Sequence, residues 1–174
     1  MTGHAIVSHG FEATPAGVKT VACAAAARAL GWTAECPGYE AFDARRECSG
    51  LGDVEGRIAH LRMLAAASAR PPVLCGSSLG AFVSARVSLE VPVAGLFLMA
   101  PPVWLEGYDF ALQAARVPTV VVHGWRDEMI PAAWVAAWAQ ARDLRAVFVP
   151  DTHRLEGHVD FIAAEFRRFL QDLR

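Results

Sequence analysis

Short, almost uninterrupted apolar runs recur along the chain, each followed by a longer stretch with helical spacing. Ala5–Ser8, Thr33–Cys36, Val73–Cys75, Val93–Ala100, Pro118–His123 and Arg145–Val149 read as strands. Runs that are apolar at every position, such as Val93–Ala100, suit strands covered on both faces, which is the habit of parallel sheets. The intervening stretches read as helices. One runs from about Pro15 to Leu30, with Thr14 as N-cap, Pro15 at the first helical position and Gly31 as C-cap. A second, capped by Asp53, runs to about Ala69 and carries Ile58, Leu61, Met63, Leu64 and Ala65 as an apolar face. Others cover Leu79–Leu89, Pro131–Ala141 and about Glu156–Leu173. Strict alternation of strand and helix predicts an α/β fold: a single domain over residues 1–174, with a mostly parallel six-stranded sheet and helices on both faces.

Composition agrees and removes several function classes. At 174 residues the chain is long enough for one substantial core. Its hydrophobic fraction is 54%, yet charged residues, glycine or proline interrupt every apolar run before it reaches membrane-spanning length. Net charge is −2 and the basic residues are scattered, so no nucleic-acid footprint is expected. Met1-Thr2-Gly3-His4 leads directly into the first strand without the regions of a signal peptide, which predicts a cytoplasmic protein. Cys23, Cys36, Cys48 and Cys75 lack C-x-x-C or zinc-ligand spacing and are expected to be reduced thiols. No G-x-G-x-x-G or P-loop pattern follows a strand. Neither metal nor cofactor is expected.

In open parallel sheets, ligands bind beyond the carboxyl ends of the strands. The polar residues collect there: His9-Gly10 after the first strand, Gly76-Ser77-Ser78 after the third, His123-Gly124 with Asp127 after the fifth, and Asp151-Thr152-His153 after the sixth. Gly76-Ser77-Ser78-Leu79-Gly80 is G-x-S-x-G between a strand and a helix, the setting of a nucleophile elbow. Such a turn is sharp, lifts the serine hydroxyl above the sheet, and needs small residues so that strand and helix can approach. A serine hydroxyl is a weak nucleophile and requires a base, which in turn requires an orienting carboxylate. Asp127 and His153 supply both types, each just past a strand end.

These stretches together resemble the α/β-hydrolase superfamily, and the resemblance runs the length of the chain. His9-Gly10-Phe11, the elbow, His123-Gly-Trp-Arg-Asp127-Glu-Met-Ile-Pro131 and Asp151-Thr-His153-Arg-Leu155 carry it. The chain is most similar to the small, single-domain bacterial members. The resemblance implies a triad of Ser78, Asp127 and His153, with the backbone N–H groups of Phe11 and Leu79 as oxyanion donors. It also implies a minimal form of the fold. The two N-terminal strands of larger members are missing. Only Pro101–Val117 stands where they insert a lid, which leaves room for one short helix and an open cleft.

Other assignments compete. Ser77 adjoins Ser78 but occupies the x position of the motif; His158, about one turn further on, is the rival base; His9 and His123 are expected to be structural. Trp104, Trp125 and Met129 are candidates for an apolar substrate pocket, whereas Trp134 and Trp138 suit the core or a dimer patch. An arginine of Asp43–Arg46 would suit a substrate carboxylate, although a solvated loop with local ion pairs is the plainer reading. The expected partner is a small-molecule ester, cleaved through an acyl-enzyme. Perhydrolysis on the same triad is an alternative chemistry, and a non-catalytic binding protein is the alternative class. Oligomeric state, monomer or homodimer, stays open.

Overall fold

The computed structural model describes residues 3–108 and 111–173. Strands β1 (His4–Ser8), β2 (Thr33–Glu35), β3 (Val73–Ser77), β4 (Gly95–Met99), β5 (Thr119–Gly124) and β6 (Arg145–Val149) form one sheet in the order β2-β1-β3-β4-β5-β6. All five pairings are parallel, so "mostly parallel" becomes wholly parallel. The helices are α1 (Val18–Ala29), α2 (Glu40–Asp43), α3 (Val54–Ala67), α4 (Leu79–Ser88), α5 (Ala132–Ala141) and α6 (Val159–Asp172).

Side chains on a strand alternate between faces, and the central strands use both. Ile6, Leu74, Leu96, Leu98 and Val121 pack against α3, α4 and α5. Ala5, Val7, Val73, Cys75, Phe97 and Met99 pack against α1 and α6. The sheet is thus a buried middle layer, which is why its strands read as continuous apolar runs. Among the described residues no helix is long and apolar enough to cross a membrane. All four cysteines are free; Cys23 and Cys75 are buried.

Two helix starts differ from expectation for local reasons. Thr14–Gly17 folds as a turn, with Gly17 N–H donating to Thr14 O at 3.0 Å and Ala16 N–H to Thr14 Oγ1 at 3.3 Å, so α1 begins at Val18. Glu156–His158 is a 3₁₀ turn that precedes α6. The Asp53 cap is present: its side chain accepts from Gly56 N–H at 2.7 Å.

The described residues between β4 and β5 form no helix, so the short helix for which this segment left room is not among them. They fold over α4 and α5. Val103, Leu105, Leu112 and Ala114 join the core there, and Trp138 Nε1–H donates to Leu112 O at 2.7 Å. None of its described residues lines the cleft that holds Ser78.

Candidate active site

Ser78 sits at the turn between β3 and α4 with φ 52° and ψ −121°, a conformation that costs a non-glycine residue about 1–3 kcal/mol. The surroundings enforce it. A Cβ on Gly76 would lie 2.3 Å from Gly80 O, and one on Gly80 would lie 2.4 Å from Ser8 O. Only hydrogen fits at either position, so both glycines of the motif are steric requirements of the turn. Ser78 N–H donates to Met99 O at 2.8 Å, which ties the turn to the neighbouring strand. Ser77 is the last residue of β3 and is 6% exposed.

His153 reaches Ser78 from the loop after β6. Its Nε2 lies 2.9 Å from Ser78 Oγ and its Nδ1 lies 2.8 Å from Asp127 Oδ2. A carboxylate only accepts hydrogen bonds, so Nδ1 carries the proton and Nε2 offers its lone pair to the serine hydroxyl. The Asp127 side chain is fully buried. Burial alone would raise its carboxyl, but the hydrogen bond from His153 and the N–H groups of Ile130 and Met129, at 2.8 and 2.9 Å, outweigh it. The net effect holds Asp127 below its ordinary range and ionised. His153 N–H donates to Glu128 at 3.2 Å, which fixes the backbone of the imidazole loop.

His158 neither hydrogen-bonds the serine nor lines the cleft beside it. Its Nδ1 pairs with Asp151 Oδ2 at 2.8 Å, and Asp151 also accepts from the N–H groups of Thr152 and Gly157. His123 is buried; its Nε2 lies 3.0 Å from Ile130 O and 3.4 Å from Asp127, so it shapes the aspartate loop. His9 is 1% exposed and hydrogen-bonded on both ring nitrogens, to Tyr39 N–H and to Gly10 O. Burial lowers the affinity of both His9 and His123 for a proton.

A cleft of about 550 Å³ opens beside Ser78 and His153. Its floor includes Gly10, Phe11 and Ser77, and its walls include Lys19 from α1, Met129 and Arg154. Among the described residues, neither Phe11 N–H nor Leu79 N–H donates to a backbone or side-chain acceptor. Both donors lie near the serine, since Leu79 follows it in sequence and a Cβ built on Gly10, the residue before Phe11, would lie 3.4 Å from Ser78 Cβ. A slightly larger hollow, about 600 Å³, lies at the opposite end of the sheet around His4, Glu35 and Arg70 and contains none of these groups. Among the described residues no cluster of three or more His, Cys, Asp or Glu could hold a metal ion.

Not every expected wall residue is present. Met129 lines the cleft, but Trp104 and Trp125 do not. Trp125 is 59% exposed and stacks on Phe148 of β6, 4.6 Å between ring centroids; Trp104 is 54% exposed. Trp138 is core and Trp134 is exposed. Arg45 pairs with Asp53 at 2.8 Å and Arg46 with Glu12, so the Asp43–Arg46 segment engages in ion pairs within the chain. Sequence reasoning missed Arg57, which is fully buried. It falls on the stripe Val54, Ile58, Leu61 and Ala65, and a charged residue at core spacing was the available signal.

The sequence signature described as the alpha/beta hydrolase family matches residues 5–172. The chain belongs to this family. A search of curated proteins gave no match. Among solved structures, a protein of the alpha/beta superfamily from Xanthomonas campestris pv. campestris is 49% identical, with a TM-score of 0.95 over 98% of this chain and 99% of that one. An alpha-beta serine hydrolase homologue from Coxiella burnetii is 26% identical, with a TM-score of 0.72 over 98% of this chain and 86% of that one. Est1E from Butyrivibrio proteoclasticus, at 16% identity and a TM-score of 0.74 over 99% and 88%, shares the fold. Among alpha/beta hydrolases this chain is small: one domain, one six-stranded parallel sheet and flanking helices.

Proposed function

We propose that the protein is a serine hydrolase that cleaves small carboxylic esters or thioesters through an acyl-enzyme on Ser78. The observation that carries this reading is the unbroken hydrogen-bonded line from Asp127 through His153 to Ser78, 2.8 and 2.9 Å. In the first step Ser78 Oγ attacks the carbonyl carbon while its proton passes to His153 Nε2. The carbonyl electron pair moves to oxygen, and the N–H groups of Phe11 and Leu79 receive that charge. Donors of this kind are typically worth about 3–4 kcal/mol of barrier each. Collapse of the tetrahedral intermediate expels the alkoxide or thiolate, which takes the proton from His153. Water then repeats the sequence on the acyl-enzyme, giving up a proton to His153 and releasing the acid with Ser78 restored. Asp127 holds the correct imidazole tautomer throughout and balances its charged form.

Small substrates are favoured because remote binding energy accelerates a reaction only where the protein touches the substrate. Among the described residues, the segment between β4 and β5 packs on α4 and α5 and adds no wall to the cleft beside Ser78, which favours short acyl chains. The test is a fluorophosphonate probe followed by intact mass spectrometry, with p-nitrophenyl esters of rising length in parallel. Wild type and Ser77→Ala should gain the phosphonyl mass, Ser78→Ala should not, and acetate or butyrate should outpace dodecanoate in kcat/KM. Absence of label on the wild-type protein would overturn the reading.

A further inference from the structure

A fully buried charge with several hydrogen bonds lies directly behind the oxyanion loop, and the proposed reaction does not yet use it. Arg57, on α3, is fully buried. Its Nε–H donates to Asp43 Oδ1 at 2.7 Å and its Nη2 approaches the same carboxylate at 2.5 Å. The remaining donors go to main-chain oxygens: Nη1 to His9 O at 3.1 Å and Nη2 to Gly10 O at 3.2 Å. Asp43 in turn accepts from Glu12 N–H at 3.0 Å, which holds Glu12 at φ 54°. One ion pair thus grips residues 9, 10 and 12 and leaves the N–H of residue 11 unused.

The peptide bond explains what this grip does. The carbonyl of Gly10 and the N–H of Phe11 belong to the same rigid trans unit and point in opposite directions. Pulling Gly10 O towards Arg57 therefore turns Phe11 N–H away from α3. A second donor pulls the same way. Tyr39 N–H points at His9 Nε2 at 3.1 Å, so that nitrogen is the acceptor and the proton sits on Nδ1, which donates to Gly10 O at 2.7 Å. Burial disfavours a charged His9, which preserves this tautomer. On the outer side Arg46 lies 4.5 Å over the Phe11 ring and pairs with Glu12. Packing alone would be served as well by an apolar residue at position 57, since buried ion pairs seldom stabilise more than apolar replacements.

We infer that the Arg57–Asp43 pair is the positioning device of the oxyanion site: it fixes the Gly10–Phe11 peptide plane so that Phe11 N–H is aimed before substrate arrives. The inference rests on the serine-hydrolase reading above. Neither residue touches substrate; both act through the loop. Arg57→Lys keeps the charge but cannot reach Asp43, His9 O and Gly10 O together. Asp43→Asn leaves Arg57 in place with weakened anchorage.

The experiment measures kcat and KM on p-nitrophenyl butyrate, affinity for a small boronic acid, and the pH–rate profile, with folding checked by circular dichroism. For Arg57→Lys, kcat should fall about 10²–10³-fold, as for loss of an oxyanion donor. KM should stay within about threefold and boronate affinity should fall with kcat. The acidic limb of the pH profile, which reports the base, should not move. Asp43→Asn should show the same pattern at smaller amplitude. A folded Arg57→Lys with wild-type kcat, or with its loss confined to KM, would overturn the inference. Wild-type protein supplies an independent check in case the variants do not fold: the Phe11 amide proton resonance should move downfield when the boronic acid forms its tetrahedral adduct on Ser78. If no adduct forms, the hydrolase reading fails; if the adduct forms and the Phe11 amide is unmoved, only the positioning role fails.

Discussion

Two histidine–aspartate pairs sit within a few residues of each other and are nearly the same object. His153 meets Asp127 and His158 meets Asp151, each from Nδ1 to Oδ2 at 2.8 Å. Each carboxylate also accepts two main-chain N–H groups, and in each case these bonds outweigh burial and hold the acid below its ordinary range. What separates them is the far ring nitrogen. His153 Nε2 faces a serine hydroxyl at 2.9 Å, whereas His158 Nε2 has no hydrogen-bond partner among the described residues. An oriented imidazole is therefore a common product of loop folding, and the third group makes one chemically useful. The second pair supports the first, because Asp151 ties His158, Thr152 and Gly157 together and so pins the loop on which His153 is carried.

Exchanging the two histidines for alanine should break the symmetry most sharply. His153→Ala should lower kcat by at least about 10³-fold on any activated ester, by analogy with the loss of a triad member. His158→Ala should keep activity within about tenfold of wild type. A dead but folded His158→Ala beside an active His153→Ala would transfer the role of base.

The carboxylates should divide in the same way, through different observables. Asp127→Asn should cost about 10⁴ in kcat, because the imidazole then takes the wrong tautomer. Asp151→Asn should act mainly on stability, by about 1–3 kcal/mol for a weakened buried network, or a fall of several degrees in Tm for a chain of this size. Differential scanning fluorimetry and ester kinetics on the two variants decide it. Equal kinetic losses would show that the pairs cannot be separated.

A smaller effect concerns two histidines for which burial outweighs the nearby carboxylates, Glu40 beside His9 and Asp127 beside His123. Burial is the leading cause that lowers His9 and His123, so the unfolded chain binds their protons more readily than the folded one. Stability should be complete above about pH 6.5, the ordinary histidine value, and decline as pH falls towards the folded values. His9→Gln should flatten that part of the Tm–pH curve by a few degrees. An unchanged slope would mean that His9 does not carry it.

How much could be read in advance depended on how local the determining physics was. The strand β6 matched its expected limits, and the elbow was legible, because Gly76 and Gly80 answer to atoms within a few residues or on the adjoining strand. The start of α1 was missed because Thr14 closes its own turn, a competition between side chain and helix that helical spacing does not record. Trp104 and Trp125, which do not line the cleft, lie in loops, where no periodicity dictates which way a side chain faces. Arg57 was overlooked because its partners, Asp43 and the carbonyls of His9 and Gly10, come from two stretches of chain remote from its own helix. Only the assembled fold brings them together.

The strand order has a consequence for the protein during synthesis. Ser78 leaves the ribosome early, but its base is 75 positions further along and hangs from β6, the last strand added at the sheet's edge. A nascent chain stalled before residue 153 carries the strained serine without its proton acceptor and should ignore a fluorophosphonate. On the proposed acyl-enzyme reaction, reactivity would begin only when the final strand docks. Labelling in a translation reaction would then count finished sheets, and the unfinished chain would do no acyl chemistry on the metabolites around it.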